Sequence, residues 1–312
     1  MTNQNCQPLV SVYTCVFNGE KTLHRVFKSL KNITYPNIEH IIINDGSTDN
    51  TENLIKQYSK DVNFPVKYFY KENGGKHTAL NIVFEKAEGE FMIQLDADDE
   101  LLPNSISYLV NEYYQIPEDI RDQYWCVHAR CVTQYGDFVG DPYPEGINTM
   151  DWKTAGKKAS LCGGEKLGLQ VTKYISRFRF PEPKGVYYYL PESIVWKQIN
   201  CQYGTWYTNE VLHVYYVNEG GNLTSKSTNR RKFGAKAFYR KWCITHPHLH
   251  PRSFKNLLLY SLFFFIAPKE YRCNNKYLDG ICSFYDKFCL SLLYLPMFFG
   301  SFLVRKLRHI EQ

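Results

Sequence analysis

The sequence predicts an α/β fold, a mostly parallel sheet with helices on both faces, followed by a helical C-terminal appendage. Three observations carry this. Apolar strand runs alternate with amphipathic stretches from Leu9 to Leu95, the pattern of repeated βαβ units. Each of these strand runs ends in a polar or glycine-bearing cluster, and open α/β sheets bind ligands beyond the carboxyl ends of their strands. After residue 225 the pattern gives way to a basic stretch and then to short apolar runs rich in aromatic residues.

The elements follow in order. Leu9 to Phe17 reads as a buried strand, broken at Asn18-Gly19. From Glu20 to Lys31, Leu23, Val26, Phe27 and Leu30 are spaced for one helical face. Ile38 to Ile43 is a second strand that ends in Asn44-Asp45-Gly46-Ser47. Asp49 with Glu52 has the form of a capping box for a helix carrying Leu54, Ile55 and Tyr58. Val66 to Tyr70 is a third strand, followed by the polar stretch Lys71 to Lys76. A helix with Ala79, Leu80, Val83, Phe84 and Ala87 stops at Gly89, and Phe91 to Leu95 is the fourth strand. A helix after Pro103 presents Ile106, Leu109, Val110 and Tyr113, and Trp125 to Thr133 is a further strand. Residues 134–165, rich in Gly, Pro and charge, read as irregular loop of functional length. A helix starts near Pro191, and Thr205 to Val217 is a strand.

At 312 residues, with 44% hydrophobic and 22% charged residues, the chain holds one good-sized domain plus an appendage, and wholesale disorder is excluded. The 10 cysteines are scattered without a Cys-x-x-Cys, which excludes a zinc ribbon and a thioredoxin-type site. Cys15 and Cys126 are expected as buried thiols. No secretory signal is visible, so a reducing cytoplasm is expected and the sequon at Asn222 carries no weight. The net charge is +6, yet residues 226–255 contain nine Lys or Arg and no acid. The basicity is therefore local and points to an anionic surface as partner rather than to nucleic acid.

Asp96, Asp98 and Asp99 follow the fourth strand within four positions. Clustered carboxylates repel and raise each other's pKa, so a cation is expected among them. Hard oxygen ligands suit Mg²⁺ or Mn²⁺ holding phosphates rather than zinc. An acidic turn capping the next helix is the alternative. Dinucleotide binding of the Rossmann kind is excluded, because the first strand-to-helix turn lacks G-x-G-x-x-G. A Walker A loop is excluded as well: Gly75-Lys76 is followed by His77, and Tyr70 stands at the required upstream glycine.

Taken together, Val10-Ser-Val with Asn18-Gly19, Ile43 to Asp49, Asn73 to Asn81, and Gly89-Glu-Phe with Leu95 to Asp99 resemble the family 2 inverting glycosyltransferases of the nucleotide-sugar-binding GT-A fold. A weaker likeness extends through Leu190-Pro-Glu192 to Leu223-Thr224. The resemblance implies a GT-A domain over residues 1–225 and an appendage over 226–312. It implies that Asp45 accepts a hydrogen bond from the imide N–H of uracil, and that Thr14, Val16 and Asn18 lie along the base and ribose. Lys76 would sit beside the base or diphosphate, Asp96 on the ribose side, and Asp98 would be the ligand of Mn²⁺ or Mg²⁺. Asn44 stands where many relatives have a second Asp.

An inverting transfer needs one carboxylate to take the acceptor hydroxyl's proton. The Glu-Asp pair of many relatives is missing between residues 160 and 220, and Glu192 after Pro191 is the candidate base. Capping of its helix is the alternative role, and Glu182 is the runner-up. His213 is expected in the core rather than on a ligand. His246 to His250 reads as an exposed loop rather than a metal tract.

The apolar runs 257–267 and 288–304 are both shorter than the roughly 20 residues a spanning helix needs. With their basic neighbours they suit attachment to an anionic leaflet, with packing against the catalytic domain or a homodimer interface as alternatives. The expected partners are thus a UDP-sugar donor, a saccharide or lipid-linked saccharide acceptor in cell-surface polysaccharide assembly, and the inner face of the membrane. A nucleotidyltransferase and an inactive carbohydrate-binding relative are the competing functions. The first would want a basic Gly-rich loop where Phe17-Asn-Gly-Glu20 stands.

Overall fold

The computed structural model describes residues 7–183, 190–217, 231–249, 253–267, 277–278, 281 and 283–307. The chain forms two compact units. The first comprises residues 1–73, 79–179 and 199–219; the second comprises 74–78, 180–198 and 220–312.

The first unit is built on one eight-stranded sheet. Its strands are β1 (Val10–Val16), β2 (Ile38–Asp45), β3 (Val66–Lys71), β4 (Phe91–Gln94), β5 (Glu100–Leu101), β6 (Tyr124–Thr133), β7 (Lys166–Val171) and β8 (Gly204–Tyr215). The spatial order is β3-β2-β1-β4-β7-β6-β8-β5. The first four strands in that order are parallel, β7 is antiparallel to both β4 and β6, β8 runs parallel to β6, and β5 is antiparallel to β8. The ends of β1 to β4 therefore share one edge, as the alternating pattern predicts.

Strands β1 and β2 are buried over almost their whole length because helices cover both sheet faces, so they read as continuous apolar runs. Three of the covering helices are α1 (Leu23–Lys31), α2 (Thr51–Tyr58) and α3 (Lys76–Lys86), with the first turn of α3 counted in the second unit. Helix α4 (Ser105–Gln115) buries Ile106, Leu109, Val110 and Tyr113, the expected stripe. A one-turn helix α5 (Glu118–Arg121) follows. The opposite end of the sheet is held by Glu39, 2% exposed. Its Oε1 accepts from Ser11 Oγ at 2.6 Å and from the Glu88 amide at 2.9 Å, and its Oε2 pairs with Lys67 at 2.6 Å.

Three expectations are corrected. Residues 134–165 are not all loop: a single 3₁₀ turn (147–149) leads into α6 (Trp152–Ala159), whose amides on Lys153 and Thr154 are capped by Asp151. Met150, Ala155, Ala159 and Cys162 pack there with Tyr143, Ile147 and Tyr207. The segment closes on itself, with the Asp141 amide donating to the Cys162 carbonyl at 2.7 Å. Gly140 and Gly164, both at positive φ, let the two passing backbones touch where any Cβ would collide. Second, Asp49 and Glu52 form no capping box. Asp49 Oδ1 accepts from the Thr51 amide and hydroxyl, and Glu52 pairs with Lys56 one turn on. Third, Cys126 is buried but Cys15 is only half-buried. Strand β7 and the short helix α7 (Thr172–Ile175) had no counterpart in the sequence reading.

The second unit gathers the N-terminal part of α8 (Ser193–Asn200) with α9 (Arg231–Thr245), α10 (Phe254–Ile266) and α11 (Phe284–Leu307). Leu190 and Ile194 pack with Ala235, Trp242 and Cys243. A second cluster joins Ala237, Ile244, Leu257, Tyr260, Phe264, Phe265 and Leu290. Both C-terminal apolar runs are helical, and Pro296 is accommodated inside α11. No helix among the described residues is long and apolar enough to cross a membrane. Residues 222–224, 226–230 and His250 lie outside the described residues.

Candidate active site

The expected site residues divide between the two units, and each set has its own geometry. In the first unit, β2 carries Asp45 to the sheet edge, where it is 4% exposed. The edge of β3 places Lys71 directly beside it in register, with Lys71 Nζ 2.6 Å from Asp45 Oδ1. Asn73 Nδ2 donates to the Asp45 carbonyl at 2.9 Å. Gly46 makes this turn possible: its φ is +76°, and a Cβ there would lie 2.6 Å from the Asn73 amide nitrogen. Asn44 closes the turn. Its Oδ1 accepts from the Ser47 amide and its Nδ2 donates to the Tyr68 hydroxyl.

Asn18 sits at φ +53°, a conformation asparagine tolerates. Its amide donates to Ser47 Oγ and its Oδ1 accepts from the Thr48 amide, so it ties the loop after β1 to the loop after β2. Thr14 and Val16 are buried. Thr14 Oγ1 donates to the Leu95 carbonyl at 2.8 Å and lies 3.1 Å from His40 Nε2; Tyr58 OH lies 3.1 Å from His40 Nδ1. These partners fix one neutral tautomer of His40, with the proton on Nε2, and burial holds its pKa down at about 3.

After β4, Asp96 and Asp98 are half-buried and Asp99 is buried. Gln94 Nε2 donates to Asp96 Oδ1 at 3.1 Å, while Arg25 Nη1 donates to the Asp98 carbonyl at 3.1 Å and lies over the Tyr216 ring. Asp99 caps no helix. Its Oδ1 accepts from the Tyr216 amide, and its Oδ2 lies 3.2 Å from His213 Nε2 without an aligned hydrogen bond. His213 is a core residue. Burial opposes its charge, but Asp99 and the Cys131 thiol outweigh that and raise its pKa to about 10. Asp99 is thus committed to Tyr216 and His213, and Asp96 and Asp98 are the other carboxylates of this loop. No three His, Cys, Asp or Glu side chains converge as a ready-made metal site among the described residues. A single ligand such as Asp98 is compatible with Mg²⁺ or Mn²⁺, which typically binds through one or two carboxylates plus substrate phosphates.

In the second unit, Lys76 Nζ lies 2.8 Å from Glu192 Oε1, and Trp196 Nε1 donates to Glu192 Oε2 at 3.2 Å. The Glu192 side chain is thus oriented by a cation and an indole, while its backbone carbonyl accepts from the first turn of α8. Glu182 is exposed. Lys71, Arg25, Gln94 and Trp196 were not singled out from sequence. Only Lys71 gave a signal, ending a strand beside the one that ends in Asp45.

Residues 11–153 match the family model described as glycosyl transferase family 2. Over these residues the chain is similar to the family 2 glycosyltransferases. The family 2 match covers β1 to β6, and so includes Asp45 and the Asp96–Asp99 loop; Glu192 lies beyond it. An uncharacterized glycosyltransferase of Rickettsia typhi is 39% identical over 111 residues, which are 36% of this chain and 34% of that relative. The putative glycosyltransferase EpsH of Bacillus subtilis is 38% identical over 97 residues, 31% of this chain and 28% of the relative. The matched stretch thus spans about a third of these relatives' length. Among solved structures, S. aureus TarS 1-349 in complex with UDP-GlcNAc aligns over 93% of this chain and 90% of its own, with a TM-score of 0.55 at 14% identity. The Pyrobaculum calidifontis mannosyltransferase PcManGT, in complex with GDP-Man and Mn²⁺, aligns over 97% and 76%, with a TM-score of 0.50 at 16% identity. At these identities the likeness carries the GT-A fold around the family 2 match.

Proposed function

We propose that this chain is a metal-dependent inverting glycosyltransferase that moves a sugar from a UDP-sugar to a hydroxyl of a saccharide acceptor, lipid-linked and destined for a cell-surface polysaccharide. The observation that carries the reading is Asp45, a nearly inaccessible carboxylate fixed by Lys71 at the sheet edge to which β4 also delivers Asp96 and Asp98. A carboxylate so placed can accept the uracil imide N–H. Two fold neighbours support the donor class and the metal, since one binds UDP-GlcNAc and the other GDP-Man with Mn²⁺.

Residues 1–225 would carry the catalysis. Thr14, Val16 and Asn18 would border the nucleoside, Lys76 would serve the donor, and Asp96 the ribose. Held by Asp98, Mn²⁺ or Mg²⁺ would neutralise charge on the leaving diphosphate. The acceptor oxygen forms its bond to the anomeric carbon as the bond to the diphosphate breaks on the opposite face, and Glu192 takes the hydroxyl proton. Lys76 and Trp196 each take one lone pair of a different Glu192 oxygen, which leaves a lone pair on either oxygen for the proton.

Release of UDP from a panel of UDP-sugars, with Mn²⁺, Mg²⁺ or EDTA, tests the donor and the metal; no binding or release with any of them would refute the donor class. Glu192→Gln should bind donor normally and lose transfer by about 10²–10⁴-fold. Near wild-type turnover would remove Glu192 from the role.

Residues 226–312 would hold the enzyme peripherally at the inner face of the membrane. Helix α11 leaves Phe284, Phe288, Leu292 and Phe298 exposed while Leu290 and Asp286 face inward. A solvent-facing aromatic stripe with Lys287 beside it suits an anionic lipid interface.

A further inference from the structure

Arg130 on β6 and Lys166 on β7 are direct register partners in an antiparallel pair. Like charges directly opposite each other destabilise a sheet. Here the repulsion is enclosed, because Arg130 is only 7% exposed. Its guanidinium lies over the Phe138 ring at 4.3 Å, its Nη2 donates to the Gly140 carbonyl at 3.2 Å, and its Nε is buried without a partner. Lys166 Nζ has a long contact to the Val139 carbonyl at 3.5 Å and the Tyr143 ring at 5.3 Å. The Tyr143 hydroxyl is buried and has no partner. Among the described residues neither cation has a carboxylate within ion-pair distance. Burial first, with the Arg130 charge, holds the Lys166 ammonium below its ordinary value against the opposing pull of Cys131, Cys162 and Glu165.

Two register-paired cations, one with an unfilled guanidinium nitrogen and the other over the ring of a tyrosine whose hydroxyl is unfilled, make a setting for an anion. We propose that Arg130, Lys166 and Tyr143 form an oxyanion site that takes a phosphate group. An oxyanion there would accept from Arg130 Nε, the Lys166 ammonium and the Tyr143 hydroxyl, and would replace the repulsion by charge-assisted hydrogen bonds. Exposed Phe138 covers Arg130 on the solvent side, and half-buried Lys166 marks the entry. The phosphate has two sources, a phosphoester of the acceptor or free inorganic phosphate. Assigning it to the acceptor rests on the transferase reading; the anion site does not.

Calorimetric titration of the full chain at fixed ionic strength, with UDP and Mn²⁺ present to occupy the donor site, tests this. The probes are inorganic phosphate and the phosphodiester glycerophosphoglycerol. Saturable binding is expected, weakened about tenfold or more in Lys166→Met and by a smaller factor in Tyr143→Phe. Tighter binding of the diester assigns the site to the acceptor, and tighter binding of inorganic phosphate assigns it to a free effector. Absence of saturable binding by the unmodified chain, or equal binding by both variants, overturns the proposal. Arg130→Gln is a third variant, and the test stands without it if it does not fold. UDP release from UDP-sugars without acceptor reports the donor reading separately, and Lys166→Met should leave it unchanged.

Discussion

Asp45 shows how neighbours fix one side chain in place. The strand end buries it, Lys71 neutralises and orients it, and Gly46 turns the chain away so that nothing covers the turn with a Cβ. Asp45→Ala should weaken UDP binding by about 10–100-fold, the worth of a hydrogen bond to a charged group, with little change in fold by circular dichroism. Undiminished UDP affinity would separate Asp45 from the base. His40 makes a different prediction. Burial depresses its folded pKa to about 3, and that of His128 to about 4 with Lys166 adding to the effect. The unfolded chain therefore binds these protons first. The stability from keeping both rings neutral is complete above about pH 6.5 and declines as pH falls, by about 1.4 kcal/mol per pH unit for each ring. Urea titrations at pH 7, 6 and 5 should show this slope, reduced in His40→Asn; a flat profile would contradict it.

Among the elements, β1 to β4 and their helices were legible because each is regular, buried and separated by clear breaks. What escaped the sequence was governed by long-range packing. Strand β7, Lys166-Leu-Gly-Leu-Gln-Val171, is short and carries a glycine, and it becomes a strand because β4 and β6 offer it two antiparallel edges. Helix α6 escaped because Gly and lysines mask its apolar side, and Asp151 was not recognised as its cap. The Asp49–Glu52 pattern misled because Thr51 captured Asp49 first. Ser11, Glu39 and Lys67 show how neighbouring strands are latched at the end away from the candidate site. Glu39→Ala should cost about 2–3 kcal/mol, less than a fully buried pair because Lys67 keeps Glu88 and partial solvent. Thermal unfolding of the variant measures it, and an unchanged midpoint would show the latch to be idle.

For the whole molecule, the expectations for the acidic loop and Asp45 came from sequence because they rest on local chemistry. The Lys76–Glu192 pair, joining residues 116 positions apart, was not. The α11 face gives a prediction at this scale. Phe284→Ser with Phe288→Ser and Leu292→Ser should reduce affinity for anionic vesicles in flotation by about a hundredfold or more, by removal of roughly 2 kcal/mol per apolar side chain, and leave UDP release unchanged. Equal flotation would place the membrane contact elsewhere. A last consequence follows from the way residues 141–162 begin and end side by side, zipped from the Asp141 amide to the Cys162 carbonyl. A segment whose two ends meet is an exchangeable cassette. It can be lengthened or shortened between its anchors while the strand register behind it is kept, provided Tyr143 and Ile147 keep their packing on Tyr207.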